Sequence, residues 1–281
     1  MSAVVSETAV RAAGAAEVVP LGNDRLALTL VFVALSMLVT RWLQVGLEMD
    51  IAWAAVRTAV QLLTVGFVLR LIFEADAFLP VLAATSVMLF TATWTASRRT
   101  AQPLPGLLPA ALIALSVGAV STIVTVTYAI IHVQPFWAPR YFIPLTGMIL
   151  GNAMNTTALL AERLQAEVAA REKEIEELLC LGASPRQAIA PALRASVRSA
   201  LIPVVNNMLT VGLVSLPGMM TGQILGNGST DTAARYQIMV MYMITSGSTL
   251  SCCILAVLIY GKFFDNRAWQ LLRERYAPVK I

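Results

Sequence analysis

Glu176-Glu177-Leu178-Leu179-Cys180-Leu181-Gly182-Ala183-Ser184-Pro185-Arg186 lies inside the one long charged stretch, Arg163 to Arg198, of a chain that is otherwise almost continuously apolar. Gly182 can take the left-handed conformation that stops a helix. Ser184 can cap the helix that follows, with Pro185 at its first position. The stretch therefore reads as helix, sharp turn, short helix: Ile175–Leu181, then Pro185–Ala195. Leu178, Leu179 and Leu181 leave an apolar patch rimmed by charge beside the turn, which is the composition of a docking site. A short helix lying against a membrane is a suitable lever for a soluble partner. The plainer reading is a solvated helical extension, since Glu167 and Arg171 are four apart and Arg171-Glu172-Lys173-Glu174 alternates in sign.

The rest of the chain says which solvent it meets. It has 281 residues, of which 58% are hydrophobic and 13% charged. Soluble domains carry about 25% charged residues. With a mean hydropathy of +0.74 this places the chain in the membrane class. A pI of 9.2 does not point to nucleic acid, because the basic residues flank apolar runs instead of interleaving with aromatics. Three cysteines make no disulfide framework. Cys252 and Cys253 read as small packing residues, and Cys180 as a reduced thiol if its loop is cytoplasmic. The single histidine, His132, excludes a His-rich metal site. Residues 1–25 contain Glu7, Arg11 and Glu17 and lack a clean apolar run, so they read as a mobile tail and not a signal peptide.

A transmembrane helix needs about 20 mainly apolar residues. Seven stretches qualify: Leu26–Val45, Ile51–Phe73, Phe78–Ser97, Leu104–Val133, Arg140–Leu164, Ala200–Leu225 and Ala233–Phe263. The expected fold is an all-α polytopic membrane protein of about seven spans. Its permease domain covers 26–264, interrupted by a cytoplasmic loop at 163–198 and followed by a cytoplasmic tail, 265–281. Arg98-Arg99, the 163–198 loop and the tail with Lys262, Arg267, Arg273, Arg275 and Lys280 carry the positive charge that marks a cytoplasmic side. Seven spans then put the N-terminus outside a plasma (inner) membrane.

Several long motifs resemble one family. They are Gly147-Met148-Ile149-Leu150-Gly151-Asn152-Ala153-Met154-Asn155, then Glu176-Glu177 through Leu181-Gly182-Ala183-Ser184-Pro185, and Ile202-Pro203 with Asn206-Asn207-Met208. Leu216-Pro217-Gly218-Met219-Met220-Thr221-Gly222-Gln223-Ile224-Leu225-Gly226 and Ala234-Arg235-Tyr236-Gln237-Ile238 complete the set. The charged turn resembles the coupling region of ABC transporter permeases. More specifically, the chain resembles the FetB-type iron-export permeases, a family that includes plant aluminium-tolerance permeases. The resemblance runs from about Leu26 to Tyr260 and leaves the N-terminal tail outside. It implies a permease paired with a separate ATPase that supplies ATP and Mg, in a complex of two permeases and two ATPases. The chain agrees in having no G-x-x-x-x-G-K-[ST] phosphate loop of its own. On this reading Glu176, Glu177, Leu181, Gly182, Ala183, Ser184, Pro185 and Arg186 receive the motor's push. No residue is expected to be catalytic, and the chain itself is expected to bind no cofactor.

Polar residues inside spans are expensive and usually face a bundle interior or a watery path. Ser and Thr are expected to bond their own helix backbone or cement helix contacts. Candidate path residues are Arg57 and Gln61, one turn apart, Asn152 and Asn155 on a shared face, Asn206 and Asn207, and Gln223. For the asparagines an interhelical clamp is the equal alternative, and Arg57 can instead snorkel to the interface. Met148, Met154, Met208, Met219, Met220, Met239, Met241 and Met243 crowd the last three spans. Thioethers suit soft ions such as Cu(I) better than iron. Methionine is also a flexible gap-filler, and alternating Met239, Met241 and Met243 form no single face, so no metal site is assigned. The residues themselves name no cargo: iron or another metal, or a non-metal such as a nucleotide-sugar, are the candidates. A self-sufficient secondary transporter would need intramembrane carboxylates or broken repeats, which are missing. An intramembrane enzyme would need a paired nucleophile and base, and a scaffold a non-ATPase partner.

Overall fold

The computed structural model describes residues 22–100, 104–226, 228–265 and 270–276. The expected tail before residue 22 lies outside the described residues. Apart from two isolated bridge pairs, the described chain is helix and connection. The all-α membrane expectation holds. Six helices, Asp24–Trp42, Glu48–Ala75, Phe78–Ser97, Leu107–Ile130, Pro185–Thr210 and Thr230–Phe263, are long and apolar enough to cross a bilayer.

The chain divides into two compact units, Met1–Asp76 with Thr221–Thr230, and Ala77–Met220 with Asp231–Ile281. In the first, α1 (Asn23–Leu28) and α2 (Leu30–Trp42) lead through a turn to the long α3 (Glu48–Ala75). Gln44 and Gly46 turn this connection with positive φ, and Asp76 ends α3 in the left-handed region. α2 buries no residue and α3 only Ile72. An apolar helix with so little protein around it is one whose solvent is lipid. Arg57 and Gln61 are exposed on α3.

The second unit opens with α4 (Phe78–Ser97). Arg98 lies 4.2 Å over the Trp94 ring, a cation–π contact at the helix end. The next span is α5 (Leu107–Leu115) and α6 (Ser121–Thr125), each followed by a single wide π turn. Gly118, in the first of these, lies so close to α11 (Thr230–Ile259) that a Cβ there would sit 2.7 Å from the Ser251 backbone nitrogen. Gly247 answers on α11, where a Cβ would sit 2.7 Å from Ile149 Cγ2. Small residues bring membrane helices into backbone contact in this way.

α7 (Pro139–Ala170) runs 32 residues, roughly 48 Å at 1.5 Å per residue. It packs most extensively against α9 (Pro185–Thr210) and α4. It is the expected fifth span, yet it is not among the helices apolar enough to qualify by composition. Its surroundings explain this. Ile143, Leu145, Ile149, Leu150, Ala153 and Thr157 are buried among other helices, and helix neighbours tolerate polar side chains that lipid does not. Five buried hydroxyls behave as anticipated, Thr93, Thr122, Thr156, Thr157 and Ser196 donating to carbonyls four residues back, whereas those of Thr146, Ser248 and Ser251 are buried with no partner among the described residues.

Two expected boundaries are corrected. The second limb of the charged turn is not a short helix ending near Ala195, because α9 continues unbroken from Pro185 to Thr210. Ala200–Leu225 is therefore not one span. α9 stops at Thr210, the chain turns through Gly212 at φ +84, and α10 (Gly218–Leu225) starts after Pro217. The turn is closed by Val214 N–H to Thr210 O at 2.9 Å and Gly212 N–H to Ser215 O at 2.9 Å. Leu213 and Val214 stand 90% and 82% exposed, so apolar composition ran straight through a turn that Gly212 and Pro217 punctuate.

Candidate functional site

Two places in the second unit gather the candidate residues. One is the hairpin of α8 (Glu172–Cys180) and α9. The other is a cavity among α7, α9, the start of α10 and α11.

At the hairpin, α8 has one inward face. Ile175 is fully buried, and Leu178 and Leu179, three and four residues on, pack half-buried against the same core. Leu160, Leu164 and Val168 from α7, Ala188, Ile189 and Ala192 from α9, and Leu255 and Ile259 from α11 complete that core. The expected apolar patch of three leucines thus reduces to one. Leu181 is 84% exposed, while Leu178 and Leu179 belong to the protein interior. Glu176, Glu177, Gly182 and Arg186 are exposed, and Ala183, Ser184 and Pro185 are half-buried.

The turn is closed at both ends. Gly182 sits at φ +88, its N–H donates to Leu179 O, and Ala183 N–H donates to Leu178 O, both at 3.0 Å. This pair of bonds is the Schellman arrangement that satisfies the last carbonyls of a helix. On the other side Ser184 N–H donates to Gln187 Oε1 at 2.9 Å, while Gln187 N–H donates to Ser184 Oγ at 3.4 Å. That reciprocal pair is a capping box, with Pro185 at the first helical position.

The joint between α7 and α8 is held too. Arg171 leaves helical geometry, and its guanidinium reaches Glu167 at 3.1 Å and Glu174 at 3.5 Å, one carboxylate on each side of the break. The segment 270–276 then folds back on the joint. Arg273 pairs with Glu172, Gln165 Nε2 donates to Arg275 O at 3.1 Å, and Tyr276 is buried in the hairpin core. Burial pushes the Tyr276 hydroxyl up to about 12, and the neighbouring Glu172 carboxylate adds to the shift. The same carboxylate raises the Arg273 guanidinium above its ordinary value by hydrogen bonding to it. Sequence reasoning passed over this clasp, because nothing local ties Arg273 to a residue 101 positions earlier.

The cavity is about 500 Å³ and is lined by Met148 and Asn152 of α7, Val204 and Asn207 of α9, Met219 of α10, and Gln237 and Met241 of α11, among others. An adjoining cavity of about 390 Å³ shares Val211, Gln237 and Met241 with it and adds Met208 and Met220. Of the path candidates only Asn152 and Asn207 meet here. Asn152 Nδ2 donates to Met148 O at 2.9 Å. Asn155, expected on the same face, is exposed, because three residues leave it 60° around the helix from Asn152. Asn206 and Asn207 are both exposed, and only Asn207 borders the cavity. Gln223 lies on α10 in the other unit, as Arg57 and Gln61 lie on α3.

The residue the candidate set lacked is Gln237. It is 5% exposed, and its Oε1 has no hydrogen-bond partner among the described residues. The available signal was its place in the Ala234–Ile238 motif. The described residues hold no group of three or more His, Cys, Asp or Glu that could bind a metal.

Known proteins resemble this chain along most of its length. A UPF0014 membrane protein of Synechocystis is 42% identical over 235 residues, covering 83% of this chain and 89% of its own. The "probable iron export permease protein FetB" of Escherichia coli is 39% identical over 245 residues, 87% of this chain and 93% of its own. The Arabidopsis thaliana protein ALUMINUM SENSITIVE 3 is 34% identical over 250 residues, 89% of this chain and 90% of its own. No solved structure matches. The model of the uncharacterised protein family UPF0014 matches residues 23–264, which include the hairpin and the cavity, and the chain belongs to that family.

Proposed function

We propose that the chain is the membrane subunit of an ABC transporter, exporting iron or another metal with ATP hydrolysed by a separate subunit. The observation that carries this reading is the hairpin at Gly182. It is a rigid, doubly capped turn, clamped at its base and presenting one exposed leucine between exposed charges. A lone apolar side chain on such a rim is suited to a pocket on a soluble partner. Because α8 shares its core with α7, α9 and α11, a push on the turn reaches the helices that line the cavity. The chemistry, ATP and Mg belong to the partner, and two copies of each subunit make the working complex. Asn152, Asn207 and Gln237 then lie on the cargo's path.

In this arrangement Arg98, Arg99, the hairpin and the C-terminal segment face the cytoplasm, where positive charge is retained. The N-terminus lies outside a plasma (inner) membrane. Outward iron transport is taken from the name of the Escherichia coli relative. The test is a cross-link from Leu181→Cys in cells. Capture of a nucleotide-binding subunit is expected, with Leu181→Glu lowering its permease-stimulated ATP hydrolysis at least tenfold while the chain stays in the membrane. Labelling of Leu181→Cys from outside the cell, or unchanged hydrolysis in Leu181→Glu, would defeat the assignment.

A further inference from the structure

Resting on the reading that two permease copies work together, we propose that the second copy of this chain docks on the groove between α6 and α11. The Tyr242 hydroxyl of each copy then meets the hydroxyl oxygens of Ser121 and Thr125 in the other. The groove holds about 520 Å³ and lies wholly in the second unit. On α11 it is lined by Ile238, Tyr242, Ser246 and Leu250, which are four residues apart and all exposed. A row of residues four apart is one of the ridges with which helices enter each other's grooves. A ridge beside a groove complements a copy of itself, because a two-fold axis puts each ridge into the other's groove.

Lipid is a poor cover for this face. The span Thr230–Phe263 has 34 residues, roughly 51 Å at 1.5 Å per residue. Tyr242 is 63% exposed and stands about 7 Å from the midpoint of that span, well inside a hydrocarbon layer about 30 Å thick. Hydroxyls on the lipid-facing side of α4 satisfy themselves: Thr85, Ser86, Thr91 and Thr95 donate to carbonyls of their own helix. A phenol oxygen stands too far from its own backbone to do this, and that of Tyr242 bonds to no other described residue. Hydrocarbon offers it nothing. Tyr128 and Tyr141 are exposed too, but each lies two residues from a helix end, where aromatic side chains meet headgroups.

The far wall of the groove supplies what the phenol lacks. Thr125 Oγ1 donates to Ser121 O at 2.8 Å, and Ser121 Oγ donates to Val117 O. Both hydroxyls have spent their proton and keep lone pairs, so they accept where Tyr242 donates. A two-fold axis along the membrane normal leaves depth unchanged. Tyr242 lines the groove at this level in its own copy and therefore meets it at the same level in the other. At the end of the ridge the charges also fit. Arg235 lines the groove and pairs with Asp231 at 2.9 Å, both side chains being exposed. One acid and one base beside a two-fold axis complement themselves, since each guanidinium then has two carboxylates to pair with.

The test uses the full chain in lipid vesicles, without any ATPase, with Cys180, Cys252 and Cys253 replaced by Ala. On oxidation with copper phenanthroline, Ser246→Cys should give a disulfide-linked dimer at least tenfold faster than Val87→Cys on the exposed side of α4. Tyr242→Phe should raise the dissociation constant of the dimer about tenfold, read from energy transfer between labelled copies as they are diluted in lipid. Asp231→Arg should weaken the dimer as well, and adding Arg235→Asp should restore it. Val87→Cys linking as fast as Ser246→Cys, or a dimer indifferent to both Tyr242→Phe and Asp231→Arg, would overturn the proposal and leave the groove to lipid. The Ser246→Cys rate keeps Tyr242 in place, so it decides the matter even if Tyr242→Phe does not insert. A chain that stays monomeric would overturn this interface together with the two-copy reading, whereas a dimer joined through another face would remove the interface alone. Failure of the Leu181 cross-link would leave the interface standing.

Discussion

The α8–α9 hairpin and the cavity share α7, α9 and α11, and they handle polar groups differently, although the Tyr276 hydroxyl in the hairpin core, like Gln237 Oε1, is buried with no hydrogen-bond partner among the described residues. At the hairpin the exposed carbonyls of α8 are closed by Gly182 and Ala183, the first turn of α9 by Ser184 and Gln187, and the broken joint by Arg171 and Arg273. At the cavity Gln237 carries a buried oxygen with no partner among the described residues, and methionines surround empty volume. A region that must transmit force gains from satisfied bonds and a filled core. A region that must accept and release a guest has to leave groups waiting. The contrast fails if the hairpin proves loose or the cavity rigid, and the following variants test both.

The largest effect falls at the hairpin core. Ile175 is buried between α7 and α9 in a part of the chain that meets water, so its burial stabilises the hairpin by about 1.5–3 kcal/mol. Ile175→Ala should cost about 2–5 kcal/mol, read from chemical unfolding in micelles. A loss below about 1 kcal/mol would mean the hairpin is not a cooperative part of the fold. Gly182→Ala should cost less. Nothing lies within 4 Å of a Cβ there, so the penalty is the left-handed backbone alone, about 1–2 kcal/mol. A neutral outcome would show that the turn already relaxes out of its Schellman geometry.

The cavity should answer with the opposite sign. Gln237→Leu removes the orphan oxygen and keeps similar volume, so the chain should gain about 1 kcal/mol and a higher melting temperature, while cargo movement falls. Destabilisation by this variant would mean that the amide has a partner the cavity reading overlooks.

The two regions also differ in how far the sequence disclosed them. Gly182, Ser184 and Pro185 are local signals whose reasons lie within a few residues, and the structure realises each one. What surrounds them was hidden. The inward turn of Leu178 and Leu179 needs the α7 and α9 faces to be known, and the clasp joins Glu172 to Arg273 across 101 positions. At the cavity, spacing along single helices misled. Asn155 looked equivalent to Asn152, but helix packing turns it outward, and Asn206 and Asn207 are both exposed, with only Asn207 bordering the cavity. The break at Val211–Pro217 escaped because its residues are apolar, and apolar residues in a turn look like the middle of a span when lipid is the solvent.

The smallest effect is a titration of the clasp. Burial, and then the Glu172 carboxylate, hold the Tyr276 hydroxyl neutral up to about pH 12, against 10 for an exposed tyrosine. A proton held more tightly in the folded state contributes stability that is complete below pH 10. It is lost as the pH rises from 10 to about 12, because the unfolded segment then gives up its proton first. The 270–276 segment should therefore become more sensitive to limited proteolysis across that window, before the hairpin core melts. Tyr276→Phe has no proton to lose and should hold the segment in place through the same window. If the two proteins open together as the pH rises, the tyrosine is not what fastens the C-terminal segment to the α7–α8 joint, and the ion pair of Glu172 with Arg273 must hold it alone.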